Sequence, residues 1–193
     1  MNLKMKDFVL LALLTALYII VYFVAMMIIS LMGPFGHAIS PGVCGLLSGA
    51  ILIFISRKIG KMWQFTLMEL IIMGVFALMG AGYLPWFITS MIGAVLADLI
   101  ASTSSKPSVL KVAIASGLIH VGNALGGIIP ACFFAEQYMN EWIARGQKPD
   151  QMLEMVKATQ GVMGILGTVI TFILSVIGVY IGYSILKGHL KEN

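Results

Sequence analysis

Charge is what this sequence has least of. Twelve Lys or Arg and eight Asp or Glu make up 10% of its 193 residues, where soluble domains carry about 25%. That shortage excludes an ordinary soluble globule. A hydrophobic content of 60% excludes intrinsic disorder, which requires too little apolar mass to build a core. Two cysteines, Cys44 and Cys132, are too few for a secreted disulfide scaffold. Both are expected near the outer face, as free buried thiols rather than a bridge. Three histidines, His37, His120 and His189, are too scattered for their spacing to define a metal site. Three motifs are also missing: His-Glu-x-x-His, Gly-x-Ser-x-Gly and Gly-x-x-x-x-Gly-Lys-Ser/Thr. The chain is therefore not expected to be an enzyme or to hydrolyse ATP, and no cofactor or metal is expected.

What is present is apolar length. Mean hydropathy is +1.00, and six long apolar stretches run at about 8–32, 39–56, 62–81, 85–101, 109–134 and 161–187. A bilayer core takes about 20 residues of helix, and backbone in lipid must satisfy its own hydrogen bonds. The reading is a single all-α transmembrane domain, residues 1–193, with six spanning helices. Turn chemistry separates the spans: Gly33-Pro34-Phe35-Gly36, Arg57-Lys58-Ile59-Gly60-Lys61, Gly82-Tyr83-Leu84-Pro85 and Ser102-Thr103-Ser104-Ser105-Lys106-Pro107. The run from Phe8 to Met32 is longer than a signal-peptide core, so it is expected to remain as a span.

The basic residues set the orientation. Lys4, Lys6, Arg57, Lys58, Lys61, Lys106, Lys111, Lys187 and Lys191 fall on one side, and only Arg145, Lys148 and Lys157 on the other. The positive-inside rule places both termini in the cytoplasm and the loops after the odd-numbered helices outside. No nucleic acid is needed to explain the net charge of +4.

The loop between the fifth and sixth helices, residues 135–160, is the one sizeable polar segment. Tyr138, Met139, Trp142 and Ile143 recur at helical spacing, as do Met152, Leu153 and Val156 after Asp150 as N-cap. Two short amphipathic helices on the outer surface are expected, acting either as an interfacial connector or as a lid over a binding site.

Few residues within the spans carry chemistry. Glu69 lies about 12 Å into the third helix from Lys61 at 1.5 Å per residue. A carboxylate at that depth must face the bundle, a partner or water. It reads either as a polar anchor for substrate or a proton, or as a packing residue. His120 shares a small-residue face with Ala113, Gly117, Ala124 and Gly127, so it points into the bundle, with Asn123 three residues on. It reads as a satisfied core histidine, a ligand contact or a partner of Glu69. Asp98 reads as an interfacial charge. Small pairs at Gly93/Ala97, Gly122/Gly126 and Gly178/Gly182 read as internal packing. Two Gly/Pro-rich outer loops, holding His37, Tyr83 and Trp86, join the amphipathic segment in suggesting a walled outward-facing pocket.

Six spans with both termini inside, Ala12-x-x-x-Ala16 low in the first helix and a long loop before the sixth resemble the substrate-binding S components of energy-coupling factor (ECF) transporters. The stretches from Lys6-Asp7 to Tyr18, and from Gly80-Ala81-Gly82-Tyr83 through Ala97-Asp98-Leu99-Ile100, are similar to the Trep_Strep group of bacterial integral membrane proteins. The resemblance implies a protein of the bacterial cytoplasmic membrane that captures a micronutrient outside. It would dock through Ala12 and Ala16 on a membrane T component driven by two cytoplasmic ATPases, then topple to release its cargo inside. The pocket carries over by region. Within it His37, Tyr83, Trp86, His120, Asn123, Tyr138 and Trp142 are the substrate-binding candidates, and Glu69 lies outside the usual pocket helices. The ligand stays open: His37, His120 and the methionines suit a haem, and the aromatics equally suit a pterin, a flavin or another flat vitamin. The alternative class is a proton-coupled secondary transporter using Glu69 and His120.

Overall fold

The structure, a computed structural model, describes residues 3–103 and 106–188; Lys191 and His189 lie outside the described residues. Its helices are α1 (Met5–Ser30), α2 (Pro34–Lys58), α3 (Gln64–Phe76), α4 (Leu84–Ala101), α5 (Val109–Phe133), α6 (Ala135–Ala144), α7 (Pro149–Thr159) and α8 (Gly161–Leu186). A π-helical turn, Ala77–Ala81, extends α3, so six helices are long and apolar enough to cross a membrane. No strand occurs among the described residues.

Two boundaries differ from the sequence reading. The Gly33-Pro34-Phe35-Gly36 segment is not a loop: Pro34 opens α2, where a missing N–H costs nothing. Pro41 then sits inside the helix. Its ring nitrogen cannot donate to the His37 carbonyl, and the Ser40 hydroxyl does so instead at 3.1 Å. In α7 the N-cap is Lys148 rather than Asp150, because Pro149 takes the first helical position and moves Asp150 into the first turn. There its charge still complements the helix dipole.

The bundle is built on a backbone-close pair, α2 and α8. A Cβ added at Gly49 would fall inside the backbone of Gly178, and one at Gly182 inside that of Ala50. Gly42 likewise sits against Thr171 and Gly45 against Ser175. Helix α5 packs on both members of the pair, and α4 packs on α5 through Gly93 and Gly122, each within 3.1 Å of a Cβ built on the other. Helix α1 lies outermost, with much of its surface exposed, including Leu13, Ile20, Val24 and Met27.

One end of the bundle gathers the start of α1, the α2–α3 and α4–α5 connections and the end of α8. There Asp7 Oδ2 accepts from Lys4 N at 2.7 Å and from Lys61 Nζ at 2.5 Å, which ties α1 to the α2–α3 connection. Arg57 donates to the Pro107 carbonyl across the same face. Asp98 corrects the sequence reading: it is a fully buried cap and not an interfacial charge. The residue before α3, Trp63, has φ 73° and offers no side-chain cap. Asp98 on α4 supplies it, accepting from Phe65 N at 3.2 Å and Thr66 N at 2.8 Å. The Thr66 and Ser102 hydroxyls complete its shell at 2.7 and 2.6 Å. Each carboxyl oxygen of this buried side chain thus holds two hydrogen bonds.

Candidate functional site

The opposite end holds a cavity of about 710 Å³. It lies among the upper parts of α1, α3, α4 and α5, the start of α2, and the short helices α6 and α7. Those two helices are amphipathic as expected. Tyr138, Met152 and Val156 point down into a small core, and Arg145 Nη1 fastens α6 by donating to the Gly82 carbonyl at 2.7 Å.

Six of the seven sequence-chosen residues meet on its wall: His37, Tyr83, Trp86, Asn123, Tyr138 and Trp142. The seventh, His120, does not. It is buried in the core, where Nδ1 lies 2.7 Å from the Ser116 carbonyl and Nε2 lies 2.9 Å from the Tyr18 hydroxyl. The carbonyl can only accept, so Nδ1 carries the proton and Nε2 accepts from Tyr18. Both ring nitrogens are occupied. His120 is a core residue, and its small neighbours explain why: a Cβ at Gly45 would stand 2.9 Å from Nδ1, so only glycine leaves the ring its place.

Glu69 lies just behind the cavity wall, fully buried, with Oε1 accepting from Asn123 Nδ2 at 3.0 Å and Oε2 unpaired. The other Nδ2 hydrogen of Asn123 goes to the Ile119 carbonyl at 3.0 Å. Its Oδ1 accepts from Trp86 Nε1 at 3.0 Å and from the Ser90 hydroxyl at 3.2 Å. Two donors and two lone pairs are a primary amide's full complement. Asn123 therefore has nothing left for a ligand; it relays the position of Glu69 to the indole of Trp86. Residue spacing carries no signal for this chain of contacts, which joins α3, α5 and α4.

Two aromatic groups line the cavity. Phe76 lies 5.0 Å from Tyr22 and 5.4 Å from Trp86, both edge to face. Tyr83 lies 5.5 Å from Tyr138 and 5.9 Å from Trp142, with Tyr138 and Trp142 at 6.4 Å. These are the spacings at which ring pairs attract. Burial raises the Tyr83 hydroxyl above its ordinary value, with the Glu141 carboxylate adding to the effect and the Arg145 guanidinium opposing it. Burial, with Tyr83 beside it, pushes Tyr138 up to about 12. Both remain protonated at neutral pH, and neither hydroxyl has a protein partner among the described residues. Trp142 Nε1 is buried and also unpaired.

A family model described as a hypothetical bacterial integral membrane protein (Trep_Strep) matches residues 5–192. The chain belongs to the Trep_Strep family. Neither the curated proteins nor the solved structures yield a match. As a Trep_Strep protein with six membrane-crossing helices it is a multi-pass protein of the bacterial cell membrane.

The remaining sequence-chosen residues are also accounted for. Ala12 and Ala16 of this Trep_Strep chain are exposed on the outer face of α1, four residues apart. Cys44 and Cys132 are both free, but only Cys44 is buried. Cys132 is exposed because the last turn of α5 turns it away from the core, while Ala131 beside it is fully buried. Among the described residues no group of three His, Cys, Asp or Glu could hold a metal ion.

Proposed function

We propose that this protein is a substrate-capturing S component of an ECF-type importer, with a micronutrient held in the cavity and ATP hydrolysis supplied by partner subunits. One observation carries the reading: six residues chosen from four separate segments of the sequence line a single cavity, at the end of the bundle opposite the basic connections. With the basic end in the cytoplasm, that cavity faces outside. The exposed Ala12 and Ala16 put two small side chains one turn apart on α1, suited to close approach by a helix of a membrane T component. The role of α6 and α7 in this reading is to roof the cavity rather than merely to connect α5 and α8.

A proton-coupled carrier would need Glu69 and His120 to act together, and their hydrogen bonds run to different partners. Gentle extraction from the native membrane followed by native mass spectrometry tests the proposal. Co-migration with a T component and two ATPases is the expected result. A bare chain, seen while other membrane complexes survive the same extraction, would overturn it. Ala12→Trp or Ala16→Trp should abolish uptake and leave ligand capture by the purified protein intact.

A further inference from the structure

The cavity is rich in aromatic rings and hydrogen-bond donors, and poor in positive charge. No lysine or arginine lines it among the described residues; the acidic group on its wall is Glu154, and the imidazole is His37. The nearest cation in sequence to the aromatic group is already committed. Arg145 bonds Glu141 at 2.5 Å and the Gly82 carbonyl at 2.7 Å, and its guanidinium stacks 5.1 Å from the Trp142 ring. Lys148 and Lys157 are exposed and lie off the wall.

From these residues we infer that the ligand is a planar aromatic molecule, neutral or cationic, with carbonyl or ring-nitrogen acceptors at its edge and no carboxylate or phosphate. Flat rings fit the two aromatic groups by stacking, and aromatic faces with a nearby carboxylate favour a positive charge. The hydroxyls of Tyr83 and Tyr138, two residues of the wall, supply donors to the ligand edge, and the Trp142 indole, its N–H turned away into the protein, supplies a ring face. The saturated Asn123 and Trp86 supply only surface. An anionic ligand would leave its hydration shell and find no cation with which to pair, which a buried charge cannot afford. A ligand that buries its carboxylate or phosphate against these rings does not fit on this ground.

This inference rests on the cavity being the capture site, and one ring system in two charge states separates the two claims. Purified protein is titrated with 9-aminoacridine, a planar cation, and with acridine-9-carboxylate, its anionic counterpart, following quenching of tryptophan fluorescence. Gly127→Phe and Gln151→Trp, which fill the cavity from α5 and from α7, serve as blocked controls; an added Cβ at Gly127 meets only the Tyr138 hydroxyl, at 3.5 Å. The expected result is saturable binding of 9-aminoacridine, at least about tenfold tighter than the carboxylate and lost in either blocked variant. Equal or tighter binding of the carboxylate, sensitive to the same variants, would overturn the charge assignment and leave the capture site standing. Binding of neither probe that either variant removes would overturn the aromatic-ligand assignment, whatever the extraction experiment says of partner subunits.

Discussion

Tyr18 and His120, 102 positions apart in sequence, share a hydrogen bond of 2.9 Å in a fully enclosed part of the core. Tyr18→Phe deletes the donor and leaves Nε2 of His120 buried without a partner, a loss of about 1–3 kcal/mol. The melting temperature in detergent should fall accordingly. Affinity for 9-aminoacridine should stay within about twofold, because neither residue lines the cavity. A large fall in affinity without destabilisation would return His120 to the binding site.

Asn123→Leu should do both kinds of damage. It strands the Glu69 carboxylate, the Trp86 indole N–H and the Ser90 hydroxyl together. Each buried polar group left without its partner costs about 1–3 kcal/mol, so a loss of at least about 3 kcal/mol is expected, with loss of 9-aminoacridine binding as Trp86 comes adrift. Glu69→Gln keeps an oxygen acceptor for Asn123 and no longer holds a carboxylate with one unpaired oxygen. It should match or exceed the parent in stability and leave the affinity unchanged. Thermal unfolding and fluorescence titration on the two variants decide both points.

Asp98→Ala removes the cap of α3 from a neighbouring helix. A single N-cap is worth about 1 kcal/mol, and this carboxylate accepts from two backbone amides and two hydroxyls. A loss of at least about 2 kcal/mol is expected. Hydrogen exchange should rise first at Phe65 and Thr66.

Two glycines make a matched pair. Gly49→Ala drives a methyl group into the Gly178 backbone and should cost about 1–3 kcal/mol or more. Gly74→Ala meets nothing within 4 Å on an exposed turn of α3 and should stabilise by up to about 1 kcal/mol. Opposite shifts in melting temperature are the expected readout.

Tyr138 sets an alkaline limit. Its hydroxyl is raised in the folded state from 10.0 to about 12, so the neutral form is favoured by folding. That contribution is complete below pH 10 and is lost as pH rises towards 12. The seating of α6 should loosen in that window, seen in Trp142 emission. Tyr138→Phe, with no proton to lose, should flatten the pH dependence.

The spans were legible because lipid enforces long apolar helices, and the amphipathic pair because its 3.6-residue spacing survives in a polar segment. Cavity residues such as Tyr83 and Trp142 could be chosen because aromatics and turn residues cluster at one end of the chain's topology. Asp98 and His120 were misplaced or left open for a common reason. A buried polar group is defined by its partners, and Phe65, Thr66 and Tyr18 are brought to it only by tertiary packing. The same holds for Cys132, whose exposure depends on which way the last turn of α5 faces.

The Glu69–Asn123–Trp86 chain also bears on how this site can diverge. Each residue sits on a different helix, and Asn123 in the middle bonds both of the others. A homologue that replaces the indole with a smaller ring frees an acceptor on the amide, and one that replaces the amide strands the acid. Drift in ligand preference at this wall is therefore expected to proceed by concerted exchange of all three positions. Aligned relatives should show these three columns changing together, while Tyr83 and Tyr138, whose hydroxyls bond no neighbour among the described residues, vary one at a time.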